Sequence, residues 1–371
     1  MSKGRWTAGV GAVALSVGLV VGSVVVATDD SRRAAPAAVP SSAATDLVRR
    51  PLDASLDDPV DRVIAISVDG LNPQAITGLG QGRAPALHRM MREGAGTLNA
   101  RAEYEQTVTL PNNAGMLTGR RVDKARGGHG VTVNVDEGNT VHKAAGGYVA
   151  SVFDVVHDRG GSTALYSAKI KFALYARTWN DAGAADKIGP DDGRAKIDRV
   201  VLDTDNTRLV EEVNAELRTA PRTFTFVHLA NADTAGHAYG FLSPAYLAAV
   251  EQVDRLVGSI LDTVAGSPSL APHTLIVLTA DHGGSGRSHD AADRVDNYRI
   301  PFLVWGPGVA RGRDLYALNP QLRDPGAARP GYAGPQPVRN GDLANLSTDV
   351  LDLPTVPGSQ FDRPRELNVF G

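Results

Sequence analysis

The chain has 371 residues, 42% of them hydrophobic and 21% charged, with a formal net charge of −3. That length holds one large α/β domain or two small ones, and the near-neutral balance offers no basic face for nucleic acid. Cysteine is absent, which excludes disulfides, a thiolate nucleophile, Cys-ligated zinc and a lipid anchor on an N-terminal Cys.

Lys3 and Arg5 precede an uncharged stretch at 6–28 rich in Val, Ala, Gly and Leu. A positive start followed by an apolar run reads as an export signal. The run is also long enough to cross a bilayer as a helix, with the positive end inside and the remainder outside. Residues 1–28 are therefore expected to be a signal peptide or a membrane anchor. Membrane contact is expected only through this segment, if it stays uncleaved. The Ala, Pro and Ser of 29–60 read as a flexible linker, and 61–371 as the folded domain.

From residue 61 strand and helix signals alternate. VIAISV at 63–68 is a short apolar run between a charge and Asp69-Gly70, as expected of a strand buried on both faces. Helical spacing follows at 84–92 and 149–158, ending at Gly94 and Gly160-Gly161. A strand is expected at 163–167, a helix at 207–217, a strand at 223–229 and a long amphipathic helix at 245–264. TLIVLT at 274–279 and PFLVW at 301–305 are further strands. Residues 306–341 are rich in Gly and Pro and read as a long surface loop, and 342–351 as a last short helix. The alternation predicts an α/β fold with a mostly parallel sheet flanked by helices. Such sheets bind ligands beyond the carboxyl ends of their strands.

The polar residues fall at those ends. VIAISV runs into Asp69, the strand at 223–229 into Asp233 and then His237, and TLIVLT into Asp281-His282. His289 follows the segment GGSGRS. Singly, each has an ordinary reading as a turn, cap, surface or loop residue. Together, three Asp and three His are what two zinc ions need, with three protein ligands each. A two-metal site can stabilise both the attacking and the leaving oxygen of an in-line phosphoryl displacement.

Six segments carry a resemblance: AISVDGL ending at Leu71, TLPNNAGMLTG at 109–119, GHGVTVN at 128–134, NADTAGHAYG at 231–240, TADHGGSGRSH at 279–289 and IPFLVWGPGV at 300–309. In this order they resemble the alkaline-phosphatase superfamily, and more closely its type I phosphodiesterase/nucleotide pyrophosphatase-like branch. The resemblance implies that Thr109 is a nucleophile held by one zinc with Asp69, Asp281 and His282. It implies that Asp233, His237 and His289 hold the second zinc, and that Asn134 binds a non-bridging phosphoryl oxygen. Mn²⁺ or another divalent ion is the alternative to zinc. A phosphothreonine intermediate and a small-molecule or polymer phosphoester substrate follow.

The residues themselves support these roles. A helix opening just after Thr109 would aim free N–H groups at a phosphate, with Asn112 and Asn113 suiting its start. Thr107 is the rival hydroxyl. Asn112 and Tyr239 are candidate substrate contacts. Lys169 and Lys171 follow a strand and could approach the phosphate, though lysines there read by default as solvated, and His129 reads as shaping its loop. The chain departs from the family pattern at Asn113, commonly His, and at Asp290, commonly Gly. The gap from His282 to His289 is far shorter than in nucleotide-cleaving members. No arginine stands near Thr109 before Arg120, which favours a diester over a dianionic monoester. Phosphomonoesterase activity and a non-catalytic metal-binding relative are the competing readings, and an exported product, secreted or held on the outer face of the cytoplasmic membrane, is expected.

Overall fold

The computed structural model describes residues 59–181, 189–191, 194–361 and 366–371. The expected signal or anchor at 1–28 and nearly all of the linker lie outside the described residues. Among the described residues no helix is long and apolar enough to cross a membrane.

Eight strands form one sheet: β1 (Arg62–Val68), β2 (Ala95–Arg101), β3 (Thr163–Ser167), β4 (Arg199–Leu202), β5 (Phe224–Leu229), β6 (Thr274–Thr279), β7 (Arg299–Trp305) and β8 (Arg313–Asp314). Their order is β4-β3-β5-β1-β6-β7-β2-β8. The five strands from β4 to β6 run parallel, and β7 is antiparallel to both its neighbours. The sheet is therefore mixed but mostly parallel.

The central strands are apolar because both their faces are covered. All six residues of β5 and of β6 are buried, as are six of the seven in β1. The helix Pro244–Ala265 covers one face with Tyr246, Val250, Val253, Val257, Ile260, Leu261 and Val264, spaced by three or four as one helical stripe demands. Burying each such side chain stabilises the fold by roughly 1.5–3 kcal/mol. Ser243 caps that helix and Pro244 opens it. Its Asp254 carboxylate accepts from the Ala86 and Leu87 N–H groups and so caps the helix Pro85–Glu93, whose own cap residue, Ala84, has no polar side chain.

Several elements depart from expectation. β2 and β4 were not legible as strands. The segment 231–239 is a helix, Asn231–Tyr239, where only a strand exit had been expected. The stretch at 306–341 is irregular for most of its length, yet it contains β8 and the short helix Leu315–Leu318, and Val338, Arg339 and Asn340 at its end are buried. Most of 311–335 lies at the surface, whereas 336–341 is packed into the interior.

Candidate metal centre

β5, β1 and β6 are adjacent and parallel, so the residues that follow them meet at one edge of the sheet. Asp69 leaves β1, and Gly70 turns the chain with a φ of 67° that favours glycine. The Gly70 N–H donates to Asp281 Oδ1 at 3.1 Å, and the Tyr246 hydroxyl donates to the Gly70 carbonyl at 2.7 Å. Asp233 and His237 are four residues apart on their helix, hence on one face, with His237 Nε2 3.4 Å from Asp233 Oδ1.

The six side chains converge. His282 Nε2 lies 3.4 Å from Asp69 Oδ1 and 3.6 Å from Asp281 Oδ2. His289 Nε2 lies 3.6 Å from Asp233 Oδ1 and 3.1 Å from His237 Nε2. The rings of His282 and His289 stack with centroids 3.6 Å apart and join the two groups. Two sets of ligand atoms, those of Asp69, Asp281 and His282 and those of Asp233, His282 and His289, each lie within 4.8 Å of one another. His282 thus faces both positions, and His237, 45% exposed, is the outermost of the six.

Each of the three histidines turns Nδ1 to a backbone carbonyl: His237 to Arg287 at 2.9 Å, His282 to Gly283 at 2.8 Å, His289 to Thr107 at 2.6 Å. Placing the proton on Nδ1 leaves the Nε2 lone pair aimed at the centre, the arrangement a metal-ligating imidazole needs. Burial pushes His282 down, and burial with the neighbouring His282 pushes His289 down to about 4, so both rings are neutral at pH 7.

Buried polar atoms normally find hydrogen-bond partners. Here Asp69 Oδ1, Asp233 Oδ1, His282 Nε2 and Thr109 Oγ1 are buried with no hydrogen bond. Four orphaned ligand atoms with oxygen and imidazole chemistry, gathered in one place, fit a pair of divalent cations. Burial raises the Asp69 carboxyl, but Lys169, the His228 hydrogen bond and His282 override it and hold Asp69 well below the ordinary range. Burial and the Asp69 charge together push Asp281 well above it.

Thr109 is the first residue of the helix Thr109–Thr118, one residue earlier than expected. Its N-cap, Val108, contributes no side-chain bond; instead Asn134 Oδ1 accepts from the Leu110 N–H at 3.0 Å. The rival hydroxyl of Thr107 donates to the His289 carbonyl at 2.5 Å and is occupied, whereas Thr109 Oγ1 is free.

Two candidate substrate contacts fall elsewhere. The Asn112 amide is spent on the protein: Oδ1 accepts from Glu103 N and Asn340 Nδ2, and Nδ2 donates to the Gln106 and Val108 carbonyls. It neither caps the helix nor faces a ligand, which corrects both expectations for it. Tyr239 is 65% exposed at the end of the helix that carries Asp233 and His237, and no hydrogen bond holds it to the site.

Further residues join the site. Lys169 Nζ sits between Asp69 Oδ2 at 2.5 Å and Asp233 Oδ2 at 2.7 Å, and Lys171 Nζ donates to Asn134 Oδ1 at 2.8 Å. Neither lysine is solvated as expected. His228, fully buried within β5, lies 3.1 Å from Asp69 Oδ2, and Asn113 Nδ2 donates to Asp281 Oδ2 at 3.2 Å. A histidine inside an otherwise apolar strand was the available signal for His228. His129 accepts from the Val131 N–H and shapes its own loop, as expected.

The chain matches the type I phosphodiesterase / nucleotide pyrophosphatase family over residues 63–321. It belongs to that family, within the alkaline phosphatase superfamily. Among curated proteins it is 39% identical over 149 residues to GPI ethanolamine phosphate transferase 1 of Emericella nidulans, covering 39% of this chain and 16% of that protein. It is 31% identical over 122 residues to the enzyme of the same name from Yarrowia lipolytica, covering 32% and 13%. The matched part is thus less than a fifth of those relatives. Among solved structures, murine ectonucleotide pyrophosphatase/phosphodiesterase 5, in an inactive form with AMP, superposes with a TM-score of 0.55 at 13% identity, over 83% of this chain and 99% of that one. A 2-O GAG sulfatase superposes with a TM-score of 0.56 at 13% identity, over 84% and 75%. At these identities the two structures share the fold with this chain. The superfamily is metal-dependent.

Proposed function

We propose that the protein is an exported phosphodiesterase in which Thr109 is the nucleophile, Asp69, Asp281 and His282 with Thr109 hold one divalent cation, and Asp233, His237 and His289 hold the other. The observation that carries this reading is the free, buried Thr109 Oγ1 at a helix N-terminus beside three orphaned ligand atoms, Asp69 Oδ1, Asp233 Oδ1 and His282 Nε2. Zinc suits the mixed imidazole and carboxylate donors, with Mn²⁺ the alternative. When bound, the cations lower the pKa of a coordinated hydroxyl and neutralise charge on the attacking and leaving oxygens.

The protein's own residues do the rest. Thr109 Oγ attacks phosphorus in line; the Oγ–P bond forms as the bond to the leaving oxygen breaks, giving a phosphothreonine diester. The Asn134 amide, anchored through its Oδ1 to the Leu110 N–H, lies beside the reacting group, where a donor stabilises equatorial oxygen charge. Gly70, Asn113, His228 and Lys169 hold the ligands in place. In the second displacement an acceptor oxygen attacks the same phosphorus and Thr109 Oγ leaves. Water gives a monoester. An alcohol gives a new diester, and this transferase outcome is a second reading favoured by the named activity of the curated relatives.

Thr109→Ala is expected to fold and bind zinc as the parent does but to lose at least ~10³-fold in turnover of bis-p-nitrophenyl phosphate. Unaltered turnover in that variant would falsify the nucleophile assignment. Product analysis with water alone and with added ethanolamine-type alcohols separates hydrolysis from transfer.

A further inference from the structure

The helix Thr109–Thr118 carries no charged residue. A cation reaches it from elsewhere. β3 ends at Ser167, and the turn that follows places two ammonium groups at the site. Lys169 is used up between Asp69 and Asp233. Lys171 is not: its Nζ donates to Asn134 Oδ1 at 2.8 Å and only weakly to the Asn134 carbonyl at 3.4 Å. An ammonium has three N–H donors, so at least one stays available. The same Asn134 Oδ1 accepts from the Leu110 N–H at 3.0 Å. Two donors from distant parts of the chain therefore meet on one amide oxygen next to Thr109.

A purely structural tie would not need a charge there. Burial disfavours the Lys171 ammonium, the Lys169 charge adds to that, and together they push it down to about 8. Asn134 is neutral, and the Asp69, Asp281 and Asp233 charges oppose the shift only in part. An anion bound at the same spot would offset it well. The N-terminal end of a ten-residue helix dipole favours the same kind of ligand.

Resting on the reading of the site as a phosphoester enzyme, we infer that Lys171 contacts the phosphoryl group directly. Its ammonium reaches one non-bridging oxygen of the phosphoester, and Asn134, whose Oδ1 is tied to the Leu110 N–H, fixes that ammonium beside Thr109. Lys171 gives up no proton in the reaction. It neutralises charge on an oxygen whose bonds to phosphorus neither form nor break, while the Thr109 Oγ–P bond forms and the leaving P–O bond opens. The chain thus supplies, from the turn after β3, the cation that its nucleophile segment lacks.

The test compares the zinc-loaded parent with Lys171→Gln and Lys171→Ala, checking zinc content and circular dichroism first. Inorganic phosphate affinity is measured by calorimetry, and turnover with bis-p-nitrophenyl phosphate and p-nitrophenyl phosphate. Loss of one charge-assisted hydrogen bond predicts about 10- to 100-fold weaker phosphate binding and a similar fall in kcat/KM for the diester. The dianionic monoester should lose more than the diester, and ethylamine should restore part of the lost turnover in the Ala variant, where n-propanol does not. Parental phosphate affinity in either variant that folds and holds zinc overturns the inference. A parent that binds phosphate through Lys171 yet turns over no ester leaves it standing and removes the hydrolase reading instead.

Discussion

Lys169 is the residue on which the charge balance of the cluster turns. Burial disfavours its ammonium, yet Asp69 and Asp233 hold it well above the ordinary lysine value. It takes one oxygen from each carboxylate and leaves the other, Oδ1 in both cases, facing the histidines. The brace therefore presents each aspartate with one oxygen towards the proposed cations. Lys169→Met leaves Asp69 and Asp233 buried beside Asp281 without that partner, a situation that costs about 3–5 kcal/mol when one member of a buried pair is removed. Bound cations supply the missing positive charge. The variant should thus be far less stable than the parent in EDTA, with the gap narrowing when zinc is added. Urea unfolding under both conditions measures it, and an identical gap with and without zinc would show that Lys169 packs without balancing charge.

At the scale of elements, apolar runs such as β1, β5 and β6 have few explanations except strands covered on both faces. An acidic or imidazole residue after one of them reads as a turn or cap, and only their coincidence after three such strands singled out the candidate ligands. β2 reads AGTLNAR, with Gly and Asn that carry no strand preference, and it exists through its antiparallel pairing with β7. β4 is four half-buried residues at the sheet edge. The helix Asn231–Tyr239 lacks an apolar stripe because one of its faces is given to Asp233 and His237. Gly and Pro content revealed that 306–341 is irregular, not that Asn340 at its end would bond to Asn112 and to the Asp281 carbonyl. The default reading of Lys169 and Lys171 fails for a topological reason. A lysine after a strand is solvated by default, and only the placement of β3 beside β5 brings this turn to the cluster. The same packing makes the loop after β6 intolerant of bulk. A Cβ at Gly283 would stand 2.1 Å from the Asp296 carbonyl oxygen, and Gly283 is bonded through its own N–H to Asn297. Gly283→Ala should cost roughly 1–3 kcal/mol and, by moving His282, weaken zinc binding about 10- to 100-fold. Gly147→Ala, where a Cβ meets nothing within 4 Å, is the control. Parental zinc affinity in Gly283→Ala would show that the loop yields without carrying His282 with it.

Over the whole molecule, the segment that leads into the nucleophile helix is tied to the 306–341 stretch by a buried polar network. Glu103 is fully buried and its N–H donates to Asn112 Oδ1. The Tyr332 hydroxyl bridges Glu103 and Glu105, and the guanidinium groups of Arg121 and Arg339 lie over the Tyr332 ring at 4.0 and 4.7 Å. Burial pushes Glu103 up to about 8; the Tyr332 bond opposes this and the Glu105 charge adds to it. A raised folded-state pKa means that the native protein binds this proton more tightly than the unfolded chain does. The group therefore costs nothing below the unfolded value near 4.5, costs progressively more as pH rises through the interval, and reaches its full cost above about pH 8. Its full size is on the order of a few kcal/mol. Glu103→Gln keeps the side-chain shape and removes the titration. The metal-site carboxylates titrate in both proteins, so they cancel in the difference between variant and parent. That difference should rise in favour of the variant from pH 5 to pH 8 and level off beyond, measured by urea unfolding in one buffer series. A difference that does not change with pH would place the buried charge elsewhere in the network, with Glu105 the next group to replace.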